Sequence, residues 1–165
     1  MLNRIIGTAA AALTALVPLV ASADNAADWP KYHRTDDGWR YSPLDQINAD
    51  TIKDLKVAWI HQPGDIQHGL QATPIVVDGI VYYVGPNNNV YAVNGTTGET
   101  IWHYQPDLDP IVRRVFYQAA SRGVTVGHGK VYLGSLDGRF IALDQKTGKV
   151  VWSSQITNLK ECYGC

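Results

Sequence analysis

Few groups in this sequence have the residue types and spacing of a reacting site. Cys162-Tyr163-Gly164-Cys165 is a lone Cys-x-x-Cys run. Such a run serves zinc when a second pair accompanies it and c-type haem when a His follows, and the sequence shows neither. In an oxidising compartment the pair reads as a local disulfide. His33, His61, His68, His103 and His128 have no i, i+4 or other close spacing that would put two imidazoles on one metal. Asp107 and Asp109 share a loop and read as solvated carboxylates rather than calcium ligands. The adjacent Arg113 and Arg114 read as a solvated pair, with an approach to an anionic ligand as the alternative. No phosphate-cradling glycine motif and no nucleophile elbow is present. Any chemistry must therefore be assembled from residues distant in sequence, and the elements that carry them decide what it is.

With 165 residues and a formal net charge of −1, the chain is about one ordinary domain, with no electrostatic case for nucleic acid. Met1–Arg4 carry a positive charge, Ile5–Val20 are nearly all apolar, and Ala21-Ser22-Ala23 is an A-x-A cleavage signal. This is the pattern of a secretory signal peptide cut after Ala23. The apolar run is interrupted by Pro18 and is shorter than the roughly 20 residues of a spanning helix, so no stable membrane span is expected. No Cys stands near the cleavage site for lipid attachment. The expected destination is the periplasm.

The chain is organised by a repeat. Ala92-Val-Asn-Gly-Thr-Thr-Gly-Glu-Thr-Ile-Trp102 returns fifty residues later as Ala142-Leu-Asp-Gln-Lys-Thr-Gly-Lys-Val-Val-Trp152. In the same register Gly79 falls on Gly129, Val81 on Val131 and Tyr82 on Tyr132. Each unit reads as four short strands joined by tight turns, with Asp78-Gly79 a hairpin signal. A four-stranded meander repeated at this period is a propeller blade. The expected organisation is a leader over 1–23, an N-terminal segment over 24–69 with a strand at Leu55–Ile60, and a blade over 70–105. An inter-blade loop over 106–119, a second blade over 120–155 and the start of a third over 156–165 follow. Gly98 and Gly148 sit where a turn needs positive φ. Trp102 and Trp152 read as inter-blade fasteners, each docking on the small Ala92 or Ala142.

The repeated stretch resembles the tryptophan-docking motif of the quinoprotein dehydrogenases, which oxidise alcohols with pyrroloquinoline quinone (PQQ) on an eight-bladed propeller. The likeness extends to Arg40-Tyr41-Ser42-Pro43-Leu44, Gln46-Ile47-Asn48, Gln71-Ala72-Thr73-Pro74 and Ser121-Arg122-Gly123. It covers about Asp28 to Trp152. It implies an all-β fold: the first two blades of an eight-bladed propeller, incomplete in this chain. It further implies that Gln71 stands where the family has a quinone-contacting Glu, and that Arg122 is the Arg that bonds the quinone oxygens. In the repeat register Gln71 falls on Ser121, so Gln71 and Arg122 begin the innermost strands of adjacent blades, which converge on one mouth of a propeller channel.

The family's alcohol dehydrogenases place two adjacent cysteines six and five residues before that Arg, and their vicinal disulfide covers one face of the quinone. Here Phe116-Tyr117 stand there. Either an aromatic ring stacks on the quinone in the disulfide's place, or both side chains only fill loop space. The resemblance implies a Ca²⁺ or lanthanide beside the quinone, held by ligands in later blades, and a catalytic Asp there too. It also implies an alcohol substrate, a carboxylate that takes the hydroxyl proton while hydride leaves the alcohol carbon, and a cytochrome c as electron acceptor. The chain reads as a fragment of a longer enzyme, inactive by itself. The alternative readings are a non-catalytic propeller scaffold of the outer-membrane assembly type and an inactive fragment.

Overall fold

In the computed structural model, residues 25–64, 70–116, 118 and 120–161 are described. The leader, His68, Tyr117 and the Cys162–Cys165 run lie outside the described residues. The chain forms two four-stranded antiparallel sheets, each in plain sequential order. The first is β1 (Ile75–Val77), β2 (Ile80–Val84), β3 (Val90–Asn94) and β4 (Thr100–Tyr104); the second is β5 (Thr125–Gly127), β6 (Lys130–Gly134), β7 (Arg139–Asp144) and β8 (Val150–Gln155). These are the two blades read from the repeat.

Local chemistry accounts for the turns. Asp78 and Gly79 both take positive φ, 52° and 74°, and so do His128 and Gly129, at 49° and 69°. That is the two-residue hairpin whose twist matches that of its strands. In the turns between β3 and β4 and between β7 and β8, an Asx side chain closes the loop on itself. Asn94 Oδ1 accepts from the Thr96 and Thr97 amides, and Asp144 Oδ1 from those of Lys146 and Thr147. In both blades the ladder slips by one residue beside Ala92 and Ala142. A bulge of this kind re-aims the side chain next to it, here Trp102 and Trp152.

Trp102 fastens its blade to the next, but not on its alanine. Ala92 and Ala142 are the cross-strand partners of Trp102 and Trp152 within their own sheets. The Trp102 indole instead lies on Gly148 of the next blade, where an added Cβ would sit 2.6 Å from the ring, and its Nε1 donates to the Gln145 carbonyl at 3.0 Å. The glycine is therefore required twice, once by its φ of 68° and once by the ring lying on its bare Cα. Trp59 does the same one unit earlier: it covers Gly98 and donates to the Gly95 carbonyl at 2.9 Å.

Two expected elements differ from the sequence reading. Leu55–Ile60 is not a strand, because no chain among the described residues lies beside it to complete a ladder. The inter-blade loop contains a short helix, α1 (Val112–Val115), held by burial of Val112.

The main core lies between the blades, where Ile75, Tyr82, Val84, Val90, Ala92 and Trp102 meet Val124, Val131, Leu133, Ile141 and Leu143. A second cluster, Tyr83, Tyr91 and Val93, occupies the opposite face of the first blade under Trp59. No helix among the described residues is long and apolar enough to cross a membrane.

Candidate functional site

The inner strands of the two blades start side by side. The Thr73 amide donates to the Arg122 carbonyl at 3.1 Å. Gly123, at φ 151°, lets the two backbones approach so closely that an added Cβ would stand 3.4 Å from the Thr73 oxygen. Gln71 and Arg122, just ahead of β1 and β5, are thereby brought to one end of the fold. Gln71 Nε2 donates to Gln118 Oε1 at 3.0 Å, which ties it to the loop that carries Phe116. Phe116 is half-buried and caps α1, its amide donating to the Val112 carbonyl at 2.9 Å. The Arg122 guanidinium is exposed and has no partner among the described residues. With the amide oxygen of Gln71 also without a partner among the described residues, this end offers a cation and a neutral hydrogen-bonding group to one ligand.

Asp107, Asp109, His61 and His103 have structural partners. Asp109 Oδ1 caps the start of the helical turn by accepting from the Ile111 amide at 2.9 Å. Asp107 meets Arg139 through its backbone carbonyl. Both aspartates line a cleft of about 440 Å³ with Asn87, Asn89 and Arg113. His61 Nδ1 pairs with Tyr83 Oη at 2.7 Å and its Nε2 with Thr100 Oγ1 at 2.8 Å. His103 stacks on Tyr91, centroids 4.3 Å apart, and its Nε2 pairs with Asn89 Oδ1 at 2.9 Å. Burial pushes the Tyr83 phenol well above its ordinary pKa, with the neighbouring Tyr91 adding to the shift. Among the described residues no three His, Cys, Asp or Glu gather to hold a metal.

A family model described as "PQQ: Glucose/ethanol/alcohol dehydrogenase, beta-propeller domain" matches residues 29–158. The chain belongs to this family. It is 40% identical over 166 residues to the dehydrogenase subunit of the quinone alcohol dehydrogenase of Gluconobacter oxydans, covering 92% of this chain and 22% of that protein. It is 44% identical over 133 residues to the quinohemoprotein alcohol dehydrogenase of Comamonas testosteroni, covering 80% and 19%. Among solved structures, quinohemoprotein alcohol dehydrogenase ADHIIG of Pseudomonas putida HK5 superposes with a TM-score of 0.75 at 42% identity, over 80% of this chain and 19% of that one. A europium-containing methanol dehydrogenase gives 0.74 at 29% identity, over 82% and 24%. The chain thus spans about a fifth of the length of the curated relatives it matches.

The mouth of this PQQ-family propeller suits the planar, polyanionic quinone. A guanidinium without a partner among the described residues matches a carboxylate or quinone oxygen, and the neutral Gln71 amide adds no repelling charge at that end. Two contributors escaped sequence reasoning. Nothing in the local sequence marks Gln118, which is found only through Gln71. Trp59 did leave a signal: Lys56-Val57-Ala58-Trp59 repeats the pattern of Lys149-Val150-Val151-Trp152.

Proposed function

We propose that this chain supplies the first two blades of a periplasmic PQQ-dependent dehydrogenase that oxidises alcohols and passes the electrons to a cytochrome c. The observation that carries the reading is the Arg122 guanidinium, without a partner among the described residues, at the same end of the fold as Gln71, where β1 and β5 begin. Bound there, the quinone would supply the two-electron acceptor for the alcohol, beside a Ca²⁺ or lanthanide whose ligands lie outside these blades.

The chain's own residues bind and orient. Arg122 holds the quinone oxygens by charge-assisted bonds and favours the electron-rich reduced form as negative charge grows on them. Gln71 fixes the cofactor's edge, and Phe116 covers a face and keeps water off it. The pattern of residues 1–23 supports export, and the named relatives support the substrate class. The decisive test uses the full-length protein that contains this chain, loaded with PQQ and Ca²⁺ or a lanthanide. Alcohol-dependent dye reduction is expected. Arg122→Ala should lower the quinone affinity by a factor of about ten or more, the loss of a charge-assisted hydrogen bond. Wild-type protein that neither binds PQQ nor oxidises any alcohol would defeat the proposal.

A further inference from the structure

The inter-blade loop leaves β4 at the mouth end, because β4 runs antiparallel to β1, and returns to β5 at that same end. Polar contacts hold it there. At its far end Gln118 meets Gln71. Near its start the Asp107 carbonyl accepts from Arg139 Nη2 at 2.8 Å. The same guanidinium grips Asp137, with Nε 2.8 Å and Nη2 2.6 Å from Oδ2. The Asp137 side chain is only 5% exposed, a depth at which an unpaired carboxylate would be strongly unfavourable. Burial alone would raise its pKa; hydrogen bonds from Arg139 and Ser135, with the charge of Arg139, outweigh that and hold it below the ordinary carboxylate value.

This pair is not a feature of the repeat. In the fifty-residue register Asp137 and Arg139 fall on Asn87 and Asn89 of the first blade, and Asn89 spends its amide on the Pro86 carbonyl and His103. The charged pair occurs in the blade against which the long loop starts. A guanidinium presents several donors in one rigid plane, so it can hold a carboxylate and a carbonyl together, which a lysine does poorly.

We propose that Arg139, clamped by Asp137 and bonded to the Asp107 carbonyl, is a positioning residue that fixes the loop bearing Phe116 and Gln118 over the channel mouth and thereby retains the cofactor. The inference rests on the quinone-binding reading of that mouth. It assigns the loop two anchors, one on the second blade and one on Gln71. Slackening either anchor frees the segment between them.

The experiment uses the full-length protein loaded with PQQ, and two variants. Arg139→Lys keeps a charge for Asp137 but lacks the second arm. Asp137→Asn with Arg139→Gln removes both charges without stranding a buried one. Amide hydrogen exchange is read over residues 105–116 and over β6 and β7, and PQQ release after dilution is followed by its absorbance, without turnover. Both variants should exchange faster in the loop and release PQQ about ten-fold faster, the loss of one charge-assisted bond, with β6 and β7 unchanged. Faster loop exchange with unaltered release, or equal acceleration in β6 and β7, overturns the inference and reduces the pair to a structural tie. Wild-type protein that fails to bind PQQ overturns this inference and the proposed function together, whereas binding with variants like wild type overturns the inference alone.

Discussion

The two blades are built from one repeated sequence, yet their outer faces meet different surroundings. Trp102 and Trp152 have nearly the same environment inside their own sheets. Each faces an alanine across the ladder, and each lies tilted against a tyrosine, Tyr82 at 6.0 Å and Tyr132 at 6.2 Å. Trp102 is nevertheless 8% exposed and Trp152 39%. The difference is the Gly148 turn, which lies on Trp102, while no equivalent turn lies on Trp152 among the described residues. The burial of the repeat's tryptophan is thus a property of the junction, not of the blade.

The largest expected effect tests that contrast directly. Trp102→Ala should destabilise the chain by about 3–5 kcal/mol, the range for emptying a buried aromatic site. Trp152→Ala should shift it by about 1 kcal/mol or less, since that ring is 39% exposed and no turn covers it among the described residues. Urea unfolding of the two variants of this chain measures both. Similar losses would mean that the sheet itself, and not the junction, holds the indole.

The acceptor side of the junction gives a smaller effect. Gly148 and Gly129 have matching φ, 68° and 69°, but an added Cβ meets the Trp102 ring at Gly148 and open space at Gly129. Alanine pays the left-handed backbone penalty at both. Only at Gly148 must the ring also move, so Gly148→Ala should exceed Gly129→Ala by about 1–3 kcal/mol, the usual scale of overpacking. Equal losses would leave φ as the sole reason for glycine at the two turns.

That pair of glycines also marks how far the sequence could be read. The period of fifty, the hairpin at Asp78-Gly79 and the four-strand units follow from local turn chemistry and alternation, and they are present in the structure. The positive φ of Gly98 and Gly148 was legible for the same reason. What was not legible is what touches them, because the rings come from Trp59 and Trp102, a full unit away in sequence. Leu55–Ile60 has a strand's composition, yet a strand exists only where another chain completes its ladder. At the mouth, the repeat register gave the common origin of Gln71 and Arg122. Their link to Gln118, and the Arg139 tie to Asp107, depend on how the loop of 105–120 folds back, and no periodicity records that.

The upstream faces of the blades differ in chemistry as well as cover. The first blade presents Tyr83, Tyr91 and His103 where the second has Leu133, Ile141 and Ser153. The second blade packs against a sheet whose backbone groups are already paired, so aliphatic side chains suffice. The first packs against the irregular stretch around Trp59, His61 and Pro63, which brings unpaired polar groups with it. Tyr91 Oη donates to the Pro63 carbonyl at 3.0 Å, and Tyr83 Oη meets His61. Tyr91→Phe should therefore cost about 1 kcal/mol, the net worth of one such bond, and should speed exchange in β2 and β3 more than in β6 and β7. Exchange rising evenly in both blades would show that the phenol serves the whole fold rather than this cover.

His103 gives the smallest effect and the one with a sign. Its partial burial against Tyr91 lowers its pKa below the ordinary imidazole value. A histidine whose folded pKa lies below its unfolded one favours the folded state while both are neutral, and that contribution is lost as pH falls through the folded value. The first blade should accordingly loosen on the acid side of about pH 6.5, the unperturbed value. The second blade, with Ser153 at the matching position, should not share the slope. Hydrogen exchange in β3 and β7 across that range separates the two, and His103→Gln should flatten the β3 profile while leaving β7 as it was. A β3 profile that keeps its acid slope in His103→Gln would move the titrating group elsewhere.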